Sequence, residues 1–157
     1  MGDPRKKRKK YEKPLRPWDQ ERISSEVSIL KNYGLRRKNE IYKAESILRK
    51  FRRHARNLAA QDNKKEEKEL ITKLNRLGLI DKDSSLDDVL ELSLENILER
   101  RLQTVIFRKG LCKTVKQARQ FIVHGHVTVG ENKIRWPSFI VPKELEKNIK
   151  VDIDVKE

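Results

Sequence analysis

Between Thr114 and Ile134 the chain reads TVKQARQFIVHGHVTVGENKI, and its apolar period changes from that of a helix to that of a strand across one glycine. Ala118, Phe121 and Ile122 share one side of a helix. Thr114 and Gln117 fit a T-x-x-Q capping box at its start, and Gly125 stops it. Val127 and Val129 then alternate with His126 and Thr128, as in a half-buried strand. Gly130 to Asn132 suit a turn, and Lys133-Ile134-Arg135 a return. A switch this abrupt demands a helix-to-strand corner, and so an α+β arrangement for this part of the chain.

The flanking sequence extends that arrangement in both directions. Upstream, SLENILERRLQTVIFRKG predicts one helix from an N-cap at Ser93 to a stop at Gly110, with Ile97, Leu98, Leu102, Val105 and Ile106 inward. Downstream, FIV at 139–141 predicts a short strand. IKVDIDV at 149–155 predicts another, with Ile149, Val151, Ile153 and Val155 on one face. Three helices precede this. The first opens at Asp19 as N-cap, with Trp18 and Ile23 paired as a hydrophobic staple, buries Ile23, Val27 and Leu30, and ends at Gly34. The second, NEIYKAESILRKFRRHARNLAA, places Ile41, Ala44, Leu48, Phe51, Ala55 and Leu58 on one face. The third, over 62–79, turns Leu70, Leu74 and Leu77 inward and ends at Gly78. The expected fold is α+β: a basic tail over 1–17, a helical N-terminal domain over 18–92, and over 93–157 a small domain of two helices packed on a short antiparallel sheet.

Charge indicates the partner. The 157 residues carry a formal net charge of +14 and are 39% charged against 36% hydrophobic. Such a chain has a modest core and attracts polyanions, of which nucleic acid is the usual one. Residues 1–17 hold eight Lys/Arg and three prolines. They cannot bury a core and are expected to be disordered when free. A tail of this kind orders on RNA or DNA, or serves as a solubilising tail or localisation signal. Arg49, Arg52, Arg53 and Arg56 fall on one helix face with only Glu45 placed to offset them, which points to a phosphate-binding stripe. Reversing charge at Arg52 and Arg53 is then expected to weaken RNA binding without unfolding. Residues 81–99 are acidic: Asp81, Asp83, Asp87, Asp88, Glu91, Glu95 and Glu99 stand against Lys82 alone. They mark a face turned away from nucleic acid, or one that meets a basic protein.

From Arg100 to Arg135 there are nine Lys/Arg and one acid, Glu131. Arg100, Arg101, Arg108 and Lys109 crowd one helix. Lys113, Lys116, Arg119 and the free amides after Thr114 suit a phosphate strand. Gln117, Gln120, His124 and His126 are placed to hydrogen-bond sugar or base edges, with Lys133 and Arg135 following on the hairpin. A rigid basic corner suits folded RNA, which is recognised largely by shape and by phosphate and ribose contacts. Trp136 and Phe139 suit either base stacking or an apolar lid on the sheet. Cys112, between two basic helices, is read as a residue small enough for the corner, in surroundings able to lower its thiol pKa but with no base partner evident.

Other classes find little support. One cysteine excludes an internal disulfide framework and a multi-cysteine zinc site. It suits a reducing, cytoplasmic setting. No apolar run is long enough to span a bilayer, and the basic N-terminus lacks the apolar region of a secretory signal. There is no Gly-rich phosphate loop and no nucleophile–base set, so no catalytic residue, cofactor or metal is expected. His124 and His126 are read as RNA or packing residues rather than metal ligands. A helix-turn-helix DNA reader needs base-edge side chains at a recognition-helix N-terminus, and the strands after Gly125 do not fit that motif.

The segment RRLQTVIFRKGLCKTVKQARQFIVHGHVTVGENKIRWPSFIVP closely resembles the alpha-L RNA-binding motif named after small-subunit ribosomal protein S-four. YEKPLRPWDQERISSEVSILKNYGLRRKNEIYKAESILRKFRRHAR resembles the N-terminal region of the archaeal and eukaryotic branch of that family. The resemblance implies a cytoplasmic structural protein of the small ribosomal subunit. It would bind small-subunit rRNA early in assembly at a helix junction of the 5′ domain, beside ribosomal protein S-five and near where mRNA enters, with a part in translational accuracy. It departs from the family at the hairpin turn, where the family commonly has Val-Asn-Gly and this chain has Val129-Gly130-Glu131-Asn132. Glu131 argues against a phosphate contact at that tip. The motif also occurs in non-ribosomal rescue or stress factors and as an accessory of RNA-modifying enzymes and tRNA synthetases. The N-terminal resemblance and the missing catalytic domain weigh against those readings.

Overall fold

A computed structural model describes residues 9–61 and 63–152. Seven α-helices lie among them: α1 (Gln20–Asn32), α2 (Lys38–Gln61), α3 (Lys64–Arg76), α4 (Leu86–Glu91), α5 (Leu94–Glu99), α6 (Leu102–Arg108) and α7 (Val115–His124). Strands β1 (Val127–Val129), β2 (Asn132–Lys133) and β3 (Ile149–Val151) form a sheet in the order β2-β1-β3, antiparallel throughout. No helix among the described residues is long and apolar enough to cross a membrane.

Two apolar cores divide the chain. In the first, the long α2 turns Ile41, Ala44, Leu48, Ala55 and Leu58 against Leu70 and Leu74 of α3, Val89 of α4, and Ile97 and Leu98 of α5. The second packs Leu102, Val105 and Ile106 of α6 and Ala118 and Ile122 of α7 onto Val127, Val129 and Ile149 of the sheet. Each Leu, Ile or Val among them contributes roughly 1.5–3 kcal/mol on burial. Apolar packing fixes α6 and α7 by their inner sides and leaves Arg108 of α6 and Lys116, Gln120 and His124 of α7 exposed. α5 belongs to the first core, although its sequence runs on into α6.

Several expected elements take a different form. The single helix over 93–110 is two, broken at Arg100 and Arg101. Arg101 is extended there (φ −71°, ψ 139°). Leu102 N–H donates to the Phe139 carbonyl at 2.7 Å, and Val141 N–H to that of Arg100 at 2.9 Å. These remote bonds replace the helix's own. The strand expected at 139–141 is accordingly one isolated bridge, Ile140 to Arg101. It cannot lengthen: α6 begins on one side, and on the other Pro142 has no N–H to donate.

In α1, Asp19 caps as expected, accepting from Arg22 N–H. Trp18 is 90% exposed, so there is no staple, and Val27 faces solvent. The helix is rolled instead to bury Glu26 against Lys38 (2.9 Å) and Tyr42. Burial pushes the Glu26 pKa up, but hydrogen bonds from Lys38 and Arg22 outweigh it and hold the carboxyl below its ordinary value. α4 was not expected from the acidic stretch. Ser85 and Asp88 cap it reciprocally, and Val89 anchors it. Residues 1–8 of the expected tail, and Ile153 and Val155 of the expected last strand, lie outside the described residues. Residues 9–12 lie beside α2, with the Tyr11 ring 6.2 Å from that of Tyr42, and the Arg16 and Pro17 carbonyls accept from Arg22 of α1.

A seam joins the two cores where α1 ends. Gln103 on α6 is fully buried, and its amide donates to the carbonyls of Gly34 and Val115, each at 3.0 Å. Gly34 has φ +56°, and a Cβ there would lie 2.9 Å from Val115 Cγ1 and 3.1 Å from the Gln103 amide nitrogen. Gly34→Ala is therefore expected to lower stability by about 1–3 kcal/mol, read from the urea midpoint. An unchanged midpoint would mean that the seam yields without cost.

Candidate nucleic-acid interface

α7 sets the axis of the basic corner. Thr114 accepts at Oγ1 from Gln117 N–H (3.1 Å), and the Gln117 carboxamide oxygen accepts from Lys113 N–H (2.8 Å). The capping box thus closes one residue earlier than expected, and the Gln117 side chain is used in it. Lys113, Thr114 and Lys116 remain exposed around the helix start. Lys116, Gln120 and His124 follow at i, i+4 and i+8 on one exposed face, about 12 Å from end to end at helical rise.

At the far end Gly125 adopts φ +78° and closes α7. A Cβ there would lie 3.1 Å from Arg135 Nε and 3.2 Å from Lys133 Cε, so both cations drape over this terminus. The His124 and His126 rings stack with centroids 6.4 Å apart. Four groups able to carry positive charge thus gather where the helix dipole favours it. Among the described residues Lys113, Lys116, Lys133 and Arg135 form no ion pair. The turn between β1 and β2 is Gly130-Glu131, with Val129 paired to Asn132 and Gly130 at φ +63°. Glycine at its first position suits such a two-residue hairpin.

Other basic residues singled out from the sequence are engaged within the fold. Arg101 is 5% exposed and donates through Nη2 to Glu40 Oε2 at 2.6 Å. Arg119 donates to both Glu40 oxygens, at 3.0 and 3.1 Å. Burial pushes the Glu40 pKa up, but Arg119 and Arg101 together outweigh it and hold the carboxyl below its ordinary value. Arg100 is half-buried between Glu146 and the Val141 carbonyl, each accepting at 2.8 Å. Arg108 is exposed and forks onto Glu99, and Lys109 donates to the Glu146 carbonyl. Counting acids between 100 and 135 thus misses Glu40, Glu99 and Glu146, which the fold brings in from elsewhere. Cys112 is buried in the second core, as a small corner residue would be, and burial pushes its thiol up rather than down. Phe139 packs against the second core, whereas Trp136 is 68% exposed. The lid reading thus fits Phe139 alone.

On α2, Arg53 and Arg56 are exposed, and Arg49 is held at 2.6 Å by Glu12 of the tail. Lys9, Lys10, Lys50, Arg53 and Arg56 line a groove of about 1080 Å³ between tail and helix. Arg52 differs: it is half-buried, donates to the Leu92 carbonyl at 2.6 Å and carries a buried Nε without a partner. Reversing its charge would disrupt its anchor at the end of α4, so Arg52 and Arg53 together are a poor test of RNA binding. The sequence reading also passed over Arg36, Arg37 and Lys43. These exposed residues stand beside Arg101 and Arg119 at a second groove. The signal was the basic triplet Arg36-Arg37-Lys38 between α1 and the body of α2. Among the described residues no three His, Cys, Asp or Glu side chains are grouped as metal ligands.

Similarity to known proteins covers both cores. The S4 domain family matches residues 100–146, from Arg100 to the short 3₁₀ turn before β3. The small ribosomal subunit protein uS4 of Methanococcus aeolicus is 54% identical over 146 residues, covering 90% of this chain and 82% of that protein. The protein of the same name from Hyperthermus butylicus is 48% identical over 149 residues (93% and 85%). That from Ignicoccus hospitalis is 45% identical over 152 residues (95% and 92%).

Proposed function

Because the chain belongs to the family of small ribosomal subunit protein uS4, we propose that it is a structural constituent of the small ribosomal subunit and holds ribosomal RNA on the α6–α7 corner. The observation that carries the RNA contact is the exposed line Lys116-Gln120-His124, with Lys113 and Thr114 at one end and Lys133, Arg135 and His126 at the other. Such a line offers phosphate contacts at both ends and hydrogen-bonding groups between them. Arg49, Arg53 and Arg56 with the tail form a second contact surface. Arg101 and Arg119 are assigned to the scaffold, since Glu40 already engages them.

The work is architectural rather than catalytic, and the setting is the cytoplasmic ribosome. Family resemblance supports the finer placement: early binding at a 5′-domain helix junction, ribosomal protein S-five alongside, mRNA entering nearby, and a contribution to decoding accuracy. The exposed carboxylates of Asp81, Asp83, Asp87, Asp88, Glu91 and Glu95 repel phosphate and suit a basic protein neighbour.

The test is affinity for small-subunit rRNA against an unrelated structured RNA of equal length across a salt series. Both bind at low salt, since each phosphate contact adds a slope of about −0.7 to −0.9 in log K against log salt. The expected result is an rRNA preference on the order of 10³-fold that persists at high salt. If both affinities fall together, the chain is a general polyanion binder and the assignment fails.

A further inference from the structure

We propose that the groove between α2 and the Pro137–Ile140 segment receives a single unstacked RNA nucleotide, its base against the groove floor and its flanking phosphates on the rim. This rests on the RNA-binding reading above and adds to it a site away from the α7 line. The groove measures about 440 Å³, within the roughly 300–1,000 Å³ typical of sites for small organic groups. Its floor is apolar: Ala44 and Ile47 from α2, Ile97 from α5, and Pro137 and Ile140 from the segment opposite. Its rim carries Arg36, Arg37 and Lys43, all exposed and in no ion pair among the described residues. At one wall Glu40 is occupied by Arg101 and Arg119, so it does not neutralise the rim.

Floor and rim require different things of a ligand. A paired helix presents only its backbone to a cationic edge and has no use for an apolar floor. A base turned out of its stack needs a flat apolar bed, and cations where the chain enters and leaves. Proteins recognise single-stranded RNA by splaying bases out in this way. The groove also continues the basic corner. Arg135 drapes over Gly125, Trp136 follows it, 68% exposed, and Pro137 and Ser138 then form the groove wall. One strand lying along Lys133 and Arg135 reaches the groove within two residues of protein chain. The Ser138 hydroxyl, exposed on that wall, is available to a base edge.

The test is an abasic scan. Unpaired nucleotides of a 5′-domain rRNA fragment are replaced one at a time by abasic residues, and binding is measured with the full native chain and with Ser138→Phe, which fills the groove from an exposed position. One position should weaken native binding about tenfold on becoming abasic. Ser138→Phe should show that loss already on intact RNA, and less than about twofold further loss at the sensitive position. Equal effects on both chains at every position would overturn the proposal, as would native-like binding of intact RNA by a folded Ser138→Phe. Should that variant fail to fold, Lys43→p-benzoylphenylalanine replaces it. It should photocrosslink to the single sensitive nucleotide, and crosslinks spread along a paired helix would overturn the site. Millimolar ribonucleoside monophosphates should not displace the RNA; displacement would make the groove a free-nucleotide site instead. Failure of the native chain to prefer rRNA at all would appear before any variant is made, and would count against the functional reading rather than the groove.

Discussion

Replacing Glu40 by alanine is expected to cost about 3–5 kcal/mol of folding stability, the usual result of stranding a buried charge. The Arg101 side chain is 6% exposed and that of Glu40 16% exposed. Arg101 Nε is already buried without a partner, so Glu40 is its principal compensation. Burial lowers the Arg101 pKa against the pull of Glu40, and the neighbouring Arg119 charge lowers it further. Glu40 also accepts from Arg36 N–H at 3.2 Å, so its loss would loosen the start of α2 as well. Glu40→Ala combined with Arg101→Met should recover part of the loss, because the more buried of the two stranded cations goes with its partner while Arg119, 26% exposed, reaches water. The pH dependence has a definite sign. The folded pKa of Glu40 lies below its ordinary 4.5, so its contribution is full above that value and is lost as pH falls through the folded pKa. Urea midpoints should therefore fall in acid more steeply for the native chain than for Glu40→Gln. Equal midpoints for native and Glu40→Ala at neutral pH would mean that water reaches Arg101.

Where local pattern decided the structure, the sequence was a good guide. Gly34, Gly78, Gly110 and Gly125 close α1, α3, α6 and α7 with positive φ, and Thr114 caps α7 as its spacing requires. The break at Arg100 and Arg101 was invisible because the apolar stripe from Ile97 to Ile106 keeps its helical spacing straight through it. What breaks the helix is a pair of backbone bonds to Phe139 and Val141, some forty residues away. The site was illegible for the same reason. A window of sequence shows Arg101 and Arg119 as free cations, because Glu40 lies some sixty to eighty residues upstream. The buried Glu26 rolled α1 so that it, and not Val27, joins Ile23 and Leu30 on the inner side, since a carboxylate at helical spacing gives no sign that Lys38 and Tyr42 await it. Legible charge showed which partner to expect; only the fold shows which charges remain free to meet it.

Charge reversal at two separate surfaces is expected to give the largest loss of RNA affinity. Lys113→Glu with Lys116→Glu alters the start of α7, and Arg53→Glu with Arg56→Glu alters the exposed part of the α2 stripe. None of these side chains is buried, and folding should survive. Glutamate in the first turn of a helix is favoured by its dipole, and the α2 change relieves repulsion among stacked arginines. Each pair removes two phosphate contacts. The salt slope should become shallower by about 1.4–1.8, with a loss on the order of 10–100-fold near 0.1 M salt. If one rRNA spans both surfaces, the combined variant should lose the product, on the order of 10²–10⁴-fold. If one surface lies off the RNA, its pair will be silent and the combined loss will equal the other pair's alone. Net charge is separable from site by Lys68→Glu with Lys73→Glu, which makes the same change on the exposed, mixed-sign face of α3. That control should lose less than about threefold, because distant charge is screened at this salt. A loss as large as that of the α7 pair would mean that net charge, and not the corner, holds the RNA.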